Sequence, residues 1–462
     1  VSFPHPSSFR DPVGHVFSDG HKLFRKIFPL YFKQFDYLHA SGLYQALTDK
    51  KLLIPHQIKE KNENFIVIEP ELISFFSYPY EWSFEALKSA ALLTLEVQEH
   101  ALVHGMSLKD ASAYNVGFKG TQPVFIDTLS FDFSASNTPW RAYGQFCRHF
   151  LSPLLLMAYT DVTLHKLMTV YLDGIPLDLT RRLLPSKTLL NPFIYTNIHL
   201  HSKLIEKYQA THGSSQNTRK NPQFTNQTKL VHWLKENIKK LSLKSSKTEW
   251  ADYHQCLNYS ATALSEKEIV VTSWIKNIKT KRVWDMGCNI ANYSQAICRE
   301  CPTIEEVVAT DIDALAINQA YRGLIQQEAH KIYPLIIDIT SPSPGIGFEN
   351  IERTSFIDRL LEYKVDCTVA LAIIHHLTIS NNIPFGRLSS FLKKISPYLL
   401  IEFVGPQDSW AAKLLNDKRD AKHLFSFYSL ENFKKEFSED FKIVEEKRLH
   451  DSHRTLFLMR RK

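Results

Sequence analysis

Three carboxylates and a glycine, each placed where an apolar run stops, are the residues of this chain best suited to chemistry. Arg282-Val283-Trp284 leads into Asp285-Met286-Gly287-Cys288-Asn289-Ile290-Ala291. A second apolar run closes on Thr310-Asp311-Ile312-Asp313, and a third on Ile337-Asp338-Ile339. Each reads as a strand ending in an acid, and the first runs straight into a tight turn. Acids and a glycine turn at the carboxyl ends of adjacent parallel strands make a nucleoside-binding crevice. Gly287 lets backbone approach a ligand with no side chain between them. A carboxylate ending the second strand can accept both hydroxyls of a ribose.

The pattern resembles the first motifs of class I S-adenosylmethionine-dependent methyltransferases. That resemblance implies S-adenosyl-L-methionine as cofactor. It implies a binding set of Asp285, Gly287, Cys288, Asn289, Asp311, Ile312, Asp338 and Ile339. Asp285 then faces the cationic amine and sulfonium, Asp311 the ribose, and Asp338 the adenine amino group, with Ile339 packed on the ring. The ordinary alternative for Asp338 is a cap on the next turn. A dinucleotide fold is the nearest competitor. It needs G-x-G-x-x-G so that a pyrophosphate can lie on a helix N-terminus. Only the first glycine is present, and Asp285 would repel a pyrophosphate. The chain departs from the usual D-x-G-x-G-x-G at Asn289 and Ala291.

These residues need a sheet to hold them. From about Trp250 the apolar pattern alternates helix and strand. Strands are expected over residues 282–286, 307–310, 333–337, 367–373 and 398–404, and helices over 264–278, 317–330 and 385–395. Such alternation argues for a doubly wound parallel sheet. The segments 441–448 and 454–460 lie too close for a helical crossover and should pair antiparallel. His375 and His376 follow the fourth strand, where the resemblance places residues facing the methyl acceptor. A histidine there can take a proton from an attacking hydroxyl or amine, or be purely structural. On an extended chain only one of the two faces the site, and His375 is preferred. Glu402 is the other catalytic or acceptor-binding candidate.

At 462 residues the chain should hold more than one domain. Hydrophobic content of 44% and charged content of 22% are those of an ordinary globular protein. The longest apolar stretch, residues 150–159, is too short to span a bilayer. No secretory signal is visible, and six scattered cysteines suggest a reduced, cytoplasmic setting. Cys298 and Cys301 form a lone C-x-x-C, read as two inert helix thiols; no metal site is expected. Residues 203–247 carry ten Lys/Arg against two Glu, an excess larger than the net +7 of the whole chain. This stretch reads as an exposed connector. Leu230, Leu234, Ile238 and Leu241 recur in it at helical spacing. The simpler reading is a helix with one buried stripe; the other is a basic surface for RNA, lipid or an acidic partner. Beyond this segment nothing points to nucleic acid.

A different constellation precedes the connector. A helix is expected over residues 83–105, then Leu108-Lys109-Asp110-Ala111-Ser112-Ala113-Tyr114-Asn115-Val116, then a strand over 123–126 ending at Asp127. The spacing of these acids and the asparagine resembles the catalytic loop and metal-binding Asp of protein kinase-like folds. The resemblance implies Asp110 as base and Asn115 and Asp127 as magnesium ligands. Residues 10–35 could supply small-lobe strands, and 143–184 a helical lobe. No glycine-rich loop precedes them, and no strand lysine can be paired with a helix glutamate. Asp110 and Asn115 could equally fix a loop. The chain as a whole is similar to a group of bacterial, nodulation-protein-like class I methyltransferases, which share its K-D-A-S-x-Y-N and F-I-D-T-L-S-F stretches.

The expected architecture is therefore α/β. Residues 1–200 form an α+β kinase-like domain, 201–249 a basic connector, and 250–462 a methyltransferase domain with a Rossmann-like sheet. The expected function is methyl transfer from S-adenosylmethionine to an unidentified acceptor, a small molecule by preference. The alternatives are a catalytically silent ligand-binding or scaffold protein, and a bifunctional kinase-methyltransferase.

Overall fold

A computed structural model describes residues 4–20, 22–134, 138–211, 226–243 and 261–462. The chain divides into two compact units. The first is Val1–Ser246 with Gly345–Thr354, and the second is Lys247–Pro344 with Ser355–Lys462.

In the first unit, β1 (Gly14–Ser18), β2 (Leu23–Ile27), β3 (His56–Lys61) and β4 (Ile66–Pro70) form an antiparallel sheet in the order β1-β2-β4-β3. Helices Phe32–Ala40 and Leu43–Asp49 lie between β2 and β3 in sequence. Ile27, Ile66 and Ile68 pack with Tyr31, Phe35 and Leu129 as one apolar cluster. Helix Phe84–Val103 begins where Ser83 Oγ accepts from the Ala86 N–H, at 3.4 Å. Such a side-chain cap satisfies one of the donors a helix start leaves open. Four short strands follow: β5 (Met106–Leu108), β6 (Val116–Lys119), β7 (Gln122–Phe125) and β8 (Phe131–Phe133). β5 pairs with β8, and β6 with β7.

The connector expected over 201–249 is corrected in part. Helix Gln227–Lys239 belongs to the first unit, with Leu230, Leu234, Ile238 and Leu241 buried. Gln98 Nε2 donates to Gln227 Oε1 at 3.1 Å, and Lys88 Nζ to the Leu241 carbonyl at 2.8 Å. The lysines that suggested a solvated linker flank an apolar stripe packed on helix Phe84–Val103. Residues 212–225 and 244–249 of the expected connector lie outside the described residues.

The second unit is built on β9 (Arg282–Met286), β10 (Glu306–Asp311), β11 (Ile332–Ile336), β12 (Cys367–Ala370), β13 (Tyr398–Val404), β14 (Phe441–Arg448) and β15 (Arg454–Arg461). The sheet order is β11-β10-β9-β12-β13-β15-β14. The first five strands run parallel, and β15 pairs antiparallel with both β13 and β14. The direction of winding reverses between β9 and β12, which opens a crevice at the carboxyl ends of the strands. The parallel strands are buried along nearly their whole length, as strands covered on both faces must be. The fourth strand stops at Ala370, three residues short of the apolar run. Leu371 and Ile373 are apolar because they line the crevice, with Ala372 at φ +52° turning the chain between them.

Candidate functional site

A cavity of about 1200 Å³ lies in the second unit. Its walls include Asp285, Gly287, Cys288, Asn289, Asp311, Ile312, Asp338 and Ile339. All eight residues expected to hold a cofactor therefore share one cavity. The helix Ala261–Asn277 contributes Lys267, Ile269 and Thr272, and the helix Ser409–Asp417 contributes Trp410, Lys413 and Leu414.

The turn after β9 shows why glycine is needed at one position only. Gly287 has φ +79°, and a Cβ there would stand 2.8 Å from Ile373 Cδ1. Asn289 and Ala291, where the motif lacks its later glycines, adopt φ +51° and +63°. The backbone keeps the left-handed path of a glycine turn without the glycines. Asparagine tolerates this conformation, whereas alanine is strained in it by about 1–2 kcal/mol.

Asp285 is 2% exposed, and its Oδ2 accepts from Ser294 Oγ at 2.6 Å. Burial pushes its carboxyl up to about 6 against the pull of that hydrogen bond, and the nearby Asp311 carboxylate adds to the rise. Asp311 Oδ2 accepts from the Asn289 N–H at 2.8 Å, and its Oδ1 from the Asp313 N–H at 2.9 Å. One carboxylate thus ties the two strand-end turns together at the cavity wall. Asp338 Oδ1 accepts from the Thr340 N–H at 2.9 Å and from Thr340 Oγ1 at 2.6 Å. It caps its turn and lines the cavity as well. Ile312 is 56% exposed, an apolar side chain left uncovered on that wall.

The two catalytic candidates are corrected. His375 is fully buried, neither ring nitrogen has a hydrogen-bond partner, and it does not line the cavity. Burial holds its imidazole well below the usual range, so it stays neutral. His376 lines the cavity instead. The preference for His375 assumed an extended chain; here the backbone is helical from Ile374, with His375 at φ −66° and ψ −32°. Glu402 is fully buried on β13 and bound to Lys267 Nζ at 2.7 Å. It is not part of the cavity wall. A carboxylate already neutralised by a buried lysine is a poor proton acceptor for a substrate.

In the first unit, Asp127 caps the turn Thr128–Ser130: its Oδ1 accepts from the Leu129 N–H at 3.1 Å, and its Oδ2 from Ser130 Oγ. Arg25 on β2, which the sequence did not single out, donates from Nη1 to Asp127 Oδ1 and from Nη2 to Asp11 Oδ2, the latter at 3.0 Å. Asn115 Nδ2 donates to Ser130 Oγ at 3.1 Å. Asp110 Oδ1 accepts from the Ser112 N–H at 2.9 Å, and burial raises its carboxyl above the usual range, helped by the Asp127 charge. The trio Asp110, Asn115 and Asp127 is thus held in loop and ion-pair contacts, with a guanidinium on Asp127. Among the described residues no group of three or more His, Cys, Asp or Glu could hold a metal ion. Cys298 and Cys301 are free thiols, and burial pushes Cys298 up to about 12. No helix of the described residues is long and apolar enough to cross a membrane.

No family model matches the chain. Among solved structures it is similar to the mitomycin 7-O-methyltransferase MmcR, at 12% identity and a TM-score of 0.30 over 43% of this chain. The chain spans about half (54%) of that protein. It is also similar to a SAM dependent methyltransferase from Aquifex aeolicus, at 14% identity and a TM-score of 0.32, over 46% of this chain and 98% of the other. Likenesses this faint carry no argument about activity. The sequence comparison is firmer. Nodulation protein NoeA of Rhizobium meliloti (strain 1021) is 30% identical over 470 residues, covering 98% of this chain and 95% of NoeA. With both units and nearly the full length shared, the chain belongs to the NoeA family.

Proposed function

We propose that the second unit binds S-adenosylmethionine and transfers its methyl group to an acceptor, a small molecule by preference. The observation that supports this is the placement of Asp285, Gly287, Asp311 and Asp338 around one cavity, at the ends of three adjacent parallel strands. The residues fit the group. Gly287 leaves the backbone bare, Asp285 offers a carboxylate to a cationic amine, Asp311 an acceptor to ribose hydroxyls, and Ile312 and Ile339 an apolar face to adenine. When bound, the sulfonium supplies an already activated methyl group. The protein's task is then orientation and the exclusion of water, which supply most of the acceleration in such a transfer. In this reading His376, which lines the cavity, takes the proton from an acceptor hydroxyl or amine. Calorimetry with S-adenosylhomocysteine tests the reading; a wild-type protein that shows no binding sinks it.

Asp285 also sets the pH dependence. Its carboxyl titrates near 6 in the free protein. A cationic ligand prefers the ionised form, so binding releases a proton and affinity rises with pH, levelling off above about 7. Asp285→Asn should bind more weakly and flatten this profile. A wild-type dissociation constant unchanged between about pH 5 and 7 would contradict the assignment.

For the first unit we infer a non-catalytic role in holding the acceptor. Its acids match a metal–nucleotide site in spacing, yet Arg25 stands on Asp127. Magnesium phosphates need free carboxylate oxygens and cationic grips. Methyl transfer should therefore proceed at the same rate with and without Mg-ATP. ATP consumption in step with methylation, abolished by Asp127→Ala, would show a working kinase instead.

A further inference from the structure

Behind the cavity wall of the second unit lies a chain of buried charges that the reaction itself does not use. Lys267, on helix Ala261–Asn277, donates from Nζ to Glu402 Oε2 at 2.7 Å. Glu402 Oε1 stands 3.8 Å from Arg454 Nη1 on β15. Arg454 reaches on with two prongs, Nε to Asp408 Oδ2 at 2.8 Å and Nη2 to Asp408 Oδ1 at 3.3 Å. Asp408 is the N-cap of helix Ser409–Asp417, its Oδ1 accepting from the Trp410 N–H at 3.0 Å. All four side chains are buried. The two helices at the ends of this chain are the ones that line the cavity, the first with Lys267 itself and Thr272, the second with Trp410 and Lys413. β13 and β15, which carry the two middle residues, are hydrogen-bonded neighbours in the sheet.

Desolvating four charges is costly, and apolar side chains of similar size would often be as stable or more so. What an ion-pair chain adds is direction: each charge has one favourable place, and moving either helix leaves a buried charge exposed to its neighbours without compensation. We propose that Lys267, Glu402, Arg454 and Asp408 form a positioning device that couples the two helical walls of the cavity. Neither Glu402 nor Arg454 nor Asp408 touches the cavity, and their effect on ligand binding passes through Lys267 and the helix that starts at Asp408.

The proposal rests on the cofactor reading above, and its test separates the two. The affinity of the full chain for S-adenosylhomocysteine is measured for wild type, Lys267→Met, Asp408→Asn and the double variant. Asparagine caps a helix as well as aspartate, so Asp408→Asn removes the ion pair and keeps the cap. The expected result is that Asp408→Asn weakens binding by about tenfold, and that the double variant is little weaker than Lys267→Met alone, because linked residues are not additive. Independent sites would multiply. Wild-type affinity in Asp408→Asn, or effects that multiply in the double variant, would overturn the coupling while leaving the cofactor site intact. Absence of binding by the wild type would overturn both. Should Asp408→Asn fail to fold, Arg454→Lys gives up the two-pronged contact and keeps a cation for Glu402, and the same cycle is read on it.

Discussion

Asp311→Ala is expected to weaken S-adenosylhomocysteine binding by about 1–3 kcal/mol, because the ligand's hydroxyl pair loses a charged acceptor. The structure gives the substitution a second route to the same loss. Asp311 also accepts from the Asn289 N–H, within a turn in which Gly287, Asn289 and Ala291 stand at positive φ. Without that acceptor the turn relaxes, and its backbone no longer holds the path that brings Gly287 to the cavity wall. Asp311→Asn separates the two routes: it keeps an oxygen for the turn but gives up the charge. Binding intermediate between wild type and Asp311→Ala is expected. If Asp311→Ala binds as tightly as wild type, the carboxylate does not face the ribose and the orientation of the cofactor in this cavity is wrong. Because Asp311 closes β10 directly after the buried residues 307–310, a thermal scan of both variants distinguishes lost contact from lost fold.

The cavity's binding wall was legible in the sequence because its marks are local. An apolar run and an acid at its end, with a glycine two residues after the first, are written within a few residues, and the parallel sheet brings three such acid ends together. The places of the catalytic candidates were not legible, for two physical reasons. His375 and His376 follow an apolar run that looks like more strand but is three residues of loop and then a helical turn, so their side chains do not alternate as on an extended backbone. Glu402 sits in a strand where an acid reads the same whether it faces substrate or a buried cation. Its partner Lys267 is 135 residues away, and nothing near Glu402 in the chain announces it. The turn itself shows the converse. Asn289 and Ala291 look like departures from a glycine motif, yet the backbone takes the glycine path through both. In the first unit the spacing of Asp110, Asn115 and Asp127 was visible. The guanidinium that meets Asp127 comes from a residue 102 positions earlier, in a strand where Arg25 and Lys26 are indistinguishable by pattern.

That guanidinium carries the second large effect. Arg25→Ala is expected to destabilise the first unit by about 1–3 kcal/mol, between the scale of an exposed ion pair and that of a buried one, because Arg25 and its partners are partly buried. The loss should exceed that of Asp127→Asn. Removing Asp127 leaves Arg25 its pair with Asp11, whereas removing Arg25 leaves Asp11 and Asp127 without their shared cation, near the half-buried Asp110. The sign of the pH dependence separates the two cases further. Burial alone would raise the Asp127 carboxyl, but Arg25, with the hydrogen bonds from Ser130 and Leu129, outweighs it and holds it below the usual carboxylate range. In the wild type this carboxylate therefore stabilises the fold above the unfolded value near 4, and that contribution fades as the pH falls below it. In Arg25→Ala burial prevails and the folded carboxyl moves above its unfolded value. The variant should then be least stable near neutrality and regain stability as the pH falls towards about 5, narrowing its gap to the wild type. Urea unfolding at the two pH values reads this directly. A gap that stays constant or widens on acidification would mean that Arg25 stabilises by packing its aliphatic stem and not by its charge on Asp127.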